Sequence, residues 1–351
     1  MTTASPSPAD PRSWLTTTPK GLYCVPGGFF VDPAWPVEKA VVTHGHGDHA
    51  RPGHGAVLAT RETVEIIKVR LGPESVGTLQ GVRYGETTRI GEVDVRLVPA
   101  GHILGSAQVV LDWRGTRIVI SGDFKRRSDP TCPPFEPVPC DVFVTEATFA
   151  LPVFRHPPDT QEIARLLGSL RTFPDRTHLV GVYALGKCQR IICLLRAAGY
   201  DRRIWLHGGL MSMCELYQRH GIDFGDIAPV NDAGPIRRND LFQHETFKNA
   251  IVLCPPSALS DRWTRRFSEP LPVAASGWMR VRARARQRGV ELPLVISDHA
   301  DWDELLQTVR DVQPTMVWVT HGREDALVHQ VQAMGVGAEA LHLAGRDEEE
   351  S

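Results

Sequence analysis

Along this chain, short apolar runs that end on polar clusters alternate with stretches whose apolar positions recur every three or four residues. Runs at 28–31, 40–43, 93–98, 108–111, 117–120 and 142–145 read as strands. Between Thr60 and Leu71 the residues Val64, Ile67 and Leu71 share one helical face. Ile163, Leu166, Leu167 and Leu170 do the same between Thr160 and Leu170, and both stretches predict surface helices packed on a sheet. Beyond residue 160 the pattern becomes strand 178–183, helix 187–198, strand 203–207 and strand 251–254, the rhythm of a small parallel α/β unit. A third stretch predicts strand 294–297, helix 302–312, strand 316–320 and helix 325–334. No internal repeat is present.

Length and composition narrow the class. With 351 residues, 42% hydrophobic and 23% charged, the chain can bury two cores or one large core with an insertion. No apolar run approaches the roughly 20 residues of a membrane span, so no membrane partner is expected. The opening twelve residues lack the basic start and apolar stretch of a secretory signal and read as a flexible leader, so a cytoplasmic location is expected. Seven cysteines with no Cys-x-x-Cys pair read as buried free thiols. The formal net charge of -2 hides an uneven distribution. From Arg262 to Arg288 eight arginines face one acid, Glu269, while residues 346–351 form an acidic tail.

The densest chemistry is Thr43-His44-Gly45-His46-Gly47-Asp48-His49, directly after the apolar run that ends at Val42. Imidazole nitrogens and a carboxylate packed this closely on a strand-to-helix turn can serve two metal ions, with the glycines letting the backbone bend. Further donors stand at other strand ends beside small residues: His102, Asp123 and His321. Each alone reads as a capping or surface residue. Together they complete a donor set large enough for an ion pair that shares one carboxylate.

These motifs resemble the metallo-β-lactamase superfamily and, within it, the β-CASP nucleases. Asp32, HGHGDH at 44–49, GHILGSA at 101–107 and SGDF at 121–124 follow the superfamily's order. TEATF at 145–149, SDHAD at 297–301 and THGRE at 320–324 resemble the β-CASP motifs, and ALGKCQ at 184–189 is similar to a segment of the β-CASP cassette. The resemblance implies an α/β fold, an αββα metallo-β-lactamase sandwich with an inserted parallel α/β β-CASP domain. Its expected parts are a leader at 1–12, the sandwich's first part at 13–150, the cassette at 151–288, the sandwich's C-terminal part at 289–345 and the tail at 346–351. It also implies two divalent ions per chain, zinc expected and manganese the alternative. His44, His46 and His102 would hold one ion, Asp48, His49 and His321 the other, and Asp123 would bridge them.

The implied catalytic residues are Asp48, Glu146 and His299, with Glu146 holding His299 so that it can assist the leaving oxygen. Asp32 would orient a ligand from behind, the competing reading being an ordinary Val-Asp-Pro turn. The expected reaction is two-metal hydrolysis of nucleic-acid phosphodiesters. Its expected phosphate contacts are Lys125, Arg126, Arg127, Lys187, Ser276, Arg280, Arg282 and Arg284, against a plain exposed turn or a solvated helix face.

His321 resembles the RNA enzymes of the group. The run 21–32, PPSAL at 255–259 and SGW at 276–278 resemble the bacterial ligase-associated DNA exonucleases. The expectation is therefore a DNA exonuclease acting in repair beside an ATP-dependent DNA ligase and a helicase. An RNA nuclease is the alternative, and a small-molecule metallo-hydrolase, which has no need of the cassette or the arginines, is a further one.

Overall fold

The computed structural model describes residues 9–234 and 246–341. The acidic tail and the first eight residues of the expected leader lie outside the described residues. The chain divides into two compact units, one running to Val153 and resuming at His299, the other spanning Phe154–Asp298.

In the first unit, β1 (Leu15–Thr18), β2 (Gly21–Cys24), β3 (Phe29–Val31), β4 (Lys39–Val41), β5 (Ala56–Thr60) and β6 (Thr78–Val82) form a six-stranded sheet in that order. A second sheet of seven strands is built around the meander of β7 (Thr87–Ile90), β8 (Val93–Pro99), β9 (Ala107–Trp113) and β10 (Thr116–Ile120). It continues through parallel pairings into β11 (Val142–Ala147), β18 (Met316–Gly322) and β19 (Gly337–Ala340).

Alternation decides the layering. Leu22, Val31 and Val41 from one sheet and Val95, Leu97, Val109 and Ile118 from the other share a single buried cluster, so the sheets pack face to face. The outer face of the first sheet is covered by Val64 and Ile67 of α1 (Arg61–Leu71). The outer face of the second is covered by Trp302, Leu305 and Val309 of α6 (Trp302–Val312) and Leu327 and Val331 of α7 (Glu324–Ala333). The layers are therefore helix, sheet, sheet, helix.

The second unit carries a parallel sheet in the order β14 (Ile227–Pro229), β13 (Ile204–Leu206), β15 (Ile251–Cys254), β12 (His178–Gly181), β16 (Leu271–Ala275) and β17 (Leu292–Leu294). Its strands are apolar on both sides, as helix-covered parallel strands must be. The helices are α2 (Asp159–Thr172), α3 (Lys187–Ala197), α4 (Gly208–Arg219) and the short α5 (Arg282–Gln287).

Three expectations shift. The compact unit continues past Arg288 to Asp298, because β17 pairs with β16. The strand expected at 294–297 is instead 292–294. The leader is not loose as far as residue 12: the Ala9 carbonyl accepts from Thr116 Oγ1 at 2.9 Å, and Arg12 pairs with Glu339 at 2.7 Å. No described helix is long and apolar enough to cross a membrane.

Candidate metal centre

The buried strand β4 delivers the chain into Thr43–His49. Neither Gly45 nor Gly47 adopts a positive φ. Gly45 is demanded by close approach, since a Cβ there would lie 2.4 Å from Ile66 Cγ2 on α1. Opposite, Gly122 (φ 56°) turns the chain after β10 so tightly that a Cβ would meet Thr43 Cβ at 2.8 Å. That turn seats Asp123 among the imidazoles.

Asp123 Oδ2 lies 3.4 Å from His44 Nε2, 3.4 Å from His49 Nε2 and 3.7 Å from His102 Nε2, while Oδ1 lies 3.6 Å from His321 Nε2. His46 Nδ1 stands 3.1 Å from His44 Nε2 and 3.0 Å from His102 Nε2. Asp48 Oδ2 is 3.2 Å from His49 Nε2. Donor atoms of His44, His46, His102 and Asp123 fall within 4.8 Å of one another, and so do those of Asp48, His49 and Asp123. His321 stands outside that second group and joins it through Asp123.

Burial sets the protonation states. It pulls the His44 imidazole down to about 4, reinforced by the charge of His49, and holds His102 well below its ordinary value. Both are neutral near pH 7. Burial opposes ionisation of Asp123 and Asp48, but the neighbouring histidines outweigh it, His49 first in both cases, and hold both carboxyls below their usual range. Neutral imidazoles beside ionised carboxylates are the ligand forms that a divalent cation requires. Asp123 Oδ1, buried and without a hydrogen-bond partner among the described residues, is a lone pair that a cation would satisfy.

The ring orientations are fixed from behind. Asp32, buried and at φ 44°, accepts from Thr43 N at 2.8 Å, Thr43 Oγ1 at 2.6 Å and His49 Nδ1 at 2.7 Å. It therefore holds the His49 ring and the Thr43 hydroxyl in place. Because the Thr43 hydroxyl proton goes to Asp32, its oxygen accepts from His44 Nδ1 at 3.1 Å, leaving Nε2 unprotonated toward Asp123. Thr320 repeats the device. It donates to the Thr145 carbonyl at 3.2 Å and accepts from His321 Nδ1 at 2.9 Å. Neither threonine was expected from sequence, and their signal is only that each directly precedes a histidine.

Glu146, buried near the end of β11, accepts from Phe124 N at 2.8 Å, Thr148 Oγ1 at 2.5 Å and His299 Nδ1 at 2.9 Å. The His299 ring lies 4.8 Å from that of His102. Asp123, Glu146 and His299 form a third group with donor atoms within 4.8 Å.

No family model matches the chain. A protein of Opitutus terrae named a probable DNA ligase is 27% identical over 336 residues, covering 93% of this chain and 31% of that protein. A ribonuclease of Thermus thermophilus is 31% identical over 194 residues, 47% of this chain and 44% of that protein. The chain thus spans less than half the length of these two relatives. A protein of unknown function from Enterococcus faecalis shares the fold at a TM-score of 0.59 and 14% identity, over 88% of this chain and 80% of its own. The chain is thus similar to nucleases of the metallo-β-lactamase/β-CASP family, and it carries a histidine and aspartate cluster able to hold metal.

Four of the cations expected on phosphate are engaged internally. Lys125 is fully buried and pairs with Asp129 at 2.6 Å. Arg126 pairs with Asp311 at 2.6 Å, and Arg127 with Asp301 at 2.9 Å and Glu304 at 3.1 Å. Lys187, also buried, reaches the Ile296 carbonyl at 2.7 Å and Asp298 at 3.0 Å. An ammonium taken out of water needs an anionic partner more than it needs a ligand, and these have one. Beside Lys187, sequence reasoning missed Arg190, which is fully buried and holds Asp159, Asp298 at 2.9 Å and the Ser297 carbonyl. Ser276 caps a short 3-10 turn by accepting from Trp278 N at 3.3 Å. Arg280 and Arg282 are exposed, and the Arg284 guanidinium lies 4.1 Å from the centre of the Trp278 ring.

Proposed function

We propose that this protein is a two-metal phosphodiesterase that hydrolyses nucleic acid, a DNA exonuclease acting with a DNA ligase. The observation that carries the reading is Asp123, whose carboxylate is shared by the group of His44, His46 and His102 and the group of Asp48 and His49, with His321 near its other oxygen and Glu146 and His299 adjoining. Zinc is the ion that fits this mixed nitrogen and oxygen set, and manganese is compatible with it. Two divalent ions held there would lower the pKa of a water molecule and offset charge on the phosphoryl oxygens.

The chain's own residues supply the rest. Glu146 accepts from His299 Nδ1, fixing the tautomer so that Nε2, when protonated, donates to the leaving oxygen. Asp48, the more open of the two carboxylates at 31% side-chain exposure against 6% for Asp123, accepts a hydrogen bond from the attacking water. Arg280 and Arg282, exposed in the arginine-rich stretch, contact backbone phosphates.

DNA is favoured by the resemblance of residues 21–32, 255–259 and 276–278 to ligase-associated exonucleases. The likeness to a protein named a probable DNA ligase agrees, and it supports a ligase partner. RNA is the second reading, favoured by His321 and by the relative named a ribonuclease. The test uses purified, zinc-loaded protein on end-labelled single-stranded DNA, double-stranded DNA and RNA of matched sequence, with His46→Ala as control. Shortening of DNA from one end, abolished in His46→Ala, is expected. Cutting of RNA alone would transfer the assignment to the second reading, and cutting that survives His46→Ala would end the metal mechanism.

A further inference from the structure

The geometry assigns Lys125 to a positioning role: it fixes His102 through the main chain, with Asp129 as its counter-ion. This rests on reading residues 44, 46, 102 and 123 as a metal site. Lys125 lies two residues after Asp123 and is fully buried, and its Nζ donates to the His102 carbonyl at 3.2 Å and to Asp129 Oδ2 at 2.6 Å. Its backbone grips the same loop, since Lys125 N donates to the Ala100 carbonyl at 3.2 Å. Asp129 is held in turn, its Oδ1 accepting from Thr131 N at 2.9 Å and Thr131 Oγ1 at 2.7 Å. On the other side of the same residue, His102 N donates to Ser106 Oγ at 3.1 Å. His102 is thus anchored at its amide and at its carbonyl, and its ring needs that, because it projects from a turn and not from a strand.

Stability alone does not account for a lysine here. A buried ion pair is no more stabilising than a well-packed apolar pair of the same volume. What an apolar pair cannot do is hold a carbonyl that must stay put for the imidazole of the same residue to reach its partners. A ligand displaced by a fraction of an ångström weakens its site, and partners behind metal ligands are typically worth ~10- to 100-fold in affinity. Of the three groups that share Asp123, His102 belongs to only one, so the effect must be confined to one ion.

The experiment titrates the full-length apoprotein with Zn2+ against a competing chelator and measures urea unfolding, for wild type, Lys125→Met and Lys125→Met with Asp129→Asn, which removes the charge and keeps the oxygen that Thr131 needs. In Lys125→Met one of two Zn2+ affinities should fall about 10- to 100-fold while the other holds, and stability should drop because Asp129 is left unpaired. The double variant removes both charges, so stability should return while the affinity stays low. If Lys125→Met does not fold, the double variant carries the test alone. Recovery of both stability and affinity in the double variant, or equal loss at both ions, would overturn the assignment. If wild type binds no Zn2+, or His46→Ala binds it normally, the metal-centre reading itself fails, and the assignment with it.

Discussion

His299 Nδ1 lies 2.9 Å from Glu146 Oε2, a carboxylate oxygen that also accepts from Thr148 Oγ1. An imidazole whose Nδ1–H is committed to a buried carboxylate is left with Nε2 for proton transfer, the arrangement of a histidine used as an acid. His299→Ala should therefore lower kcat on nucleic acid by roughly 100- to 10,000-fold. Bound metal, measured by mass spectrometry of the native protein, should be unchanged. Normal turnover in His299→Ala would remove the acid role, and loss of metal would make His299 a ligand instead.

Asp32 holds three buried donors, one of them the Nδ1 of His49. An asparagine keeps the left-handed backbone accessible at φ 44° but cannot accept at both positions of its side chain. In Asp32→Asn the His49 ring loses its orienting acceptor, and Zn2+ affinity should fall about 10- to 100-fold at the Asp48, His49 and Asp123 group. Calorimetric titration with Zn2+ checks this. An unaltered isotherm would return Asp32 to the role of a turn residue.

Much of this centre was legible because its donors crowd into 44–49 and recur at strand ends, where an apolar run stops and a polar group begins. The orienting residues were not. Thr43, Thr320 and Ser106 are ordinary hydroxyls until folding sets them against particular atoms, and no spacing announces that. Charge also misleads when burial is unknown. Lys125 and Lys187 read as phosphate contacts although both lie in the interior, and only the acid four residues on, Asp129, hints at the pairing of Lys125. The αββα layers were implied by the resemblance, while strongly periodic segments such as 93–98 and 302–312 marked individual strands and helices. Edge strands β6 and β7 escaped notice because TLQGV and TTRI are largely polar and half exposed, so they show no apolar run. The helix α4 escaped because it opens on two glycines.

His178 gives a pH dependence separate from the metal centre. It starts β12, donor and acceptor meeting at 2.8 Å between its Nε2 and Ser169 Oγ, and burial, aided by the charge of Arg176, lowers its pKa to about 4. The unfolded chain binds this proton near 6.5 and the native state does not until about 4. The native state is therefore favoured above pH 6.5, and that advantage is lost as pH falls from 6.5 toward 4. Urea unfolding of the apoprotein at pH 7 and pH 4.5 should show wild type losing roughly 2 kcal/mol more than His178→Leu. Parallel losses in the two proteins would show that His178 does not carry the effect.

Arg190 is the pivot of an ion network inside the second unit, holding Asp159 and Asp298 while Lys187 holds the other oxygen of Asp298. Arg190→Met keeps the volume but strands Asp159 and weakens the hold on Asp298. Removing one partner of a buried pair costs about 3–5 kcal/mol, and thermal unfolding should report a loss of that order. A loss below about 1 kcal/mol, the range of surface pairs, would mean that water reaches the network.

Arg280 and Arg282 separate two uses of positive charge in one chain. Both are exposed, whereas Lys125 and Lys187 are buried and bound to carboxylates. A cation resting on phosphate releases counterions, and each such contact contributes about 0.9 to the slope of log K against log salt. Arg280→Ala with Arg282→Ala should therefore flatten that slope by up to about 2 and weaken DNA binding at low salt by a similar factor on any sequence. Lys187→Met should leave the slope alone, because its charge is neutralised within the protein. Anisotropy titrations of labelled single-stranded DNA across a salt series decide it. A slope unchanged in the double arginine variant would return that stretch to the status of a solvated face, and a slope altered by Lys187→Met would mean that the buried pair opens to meet the backbone.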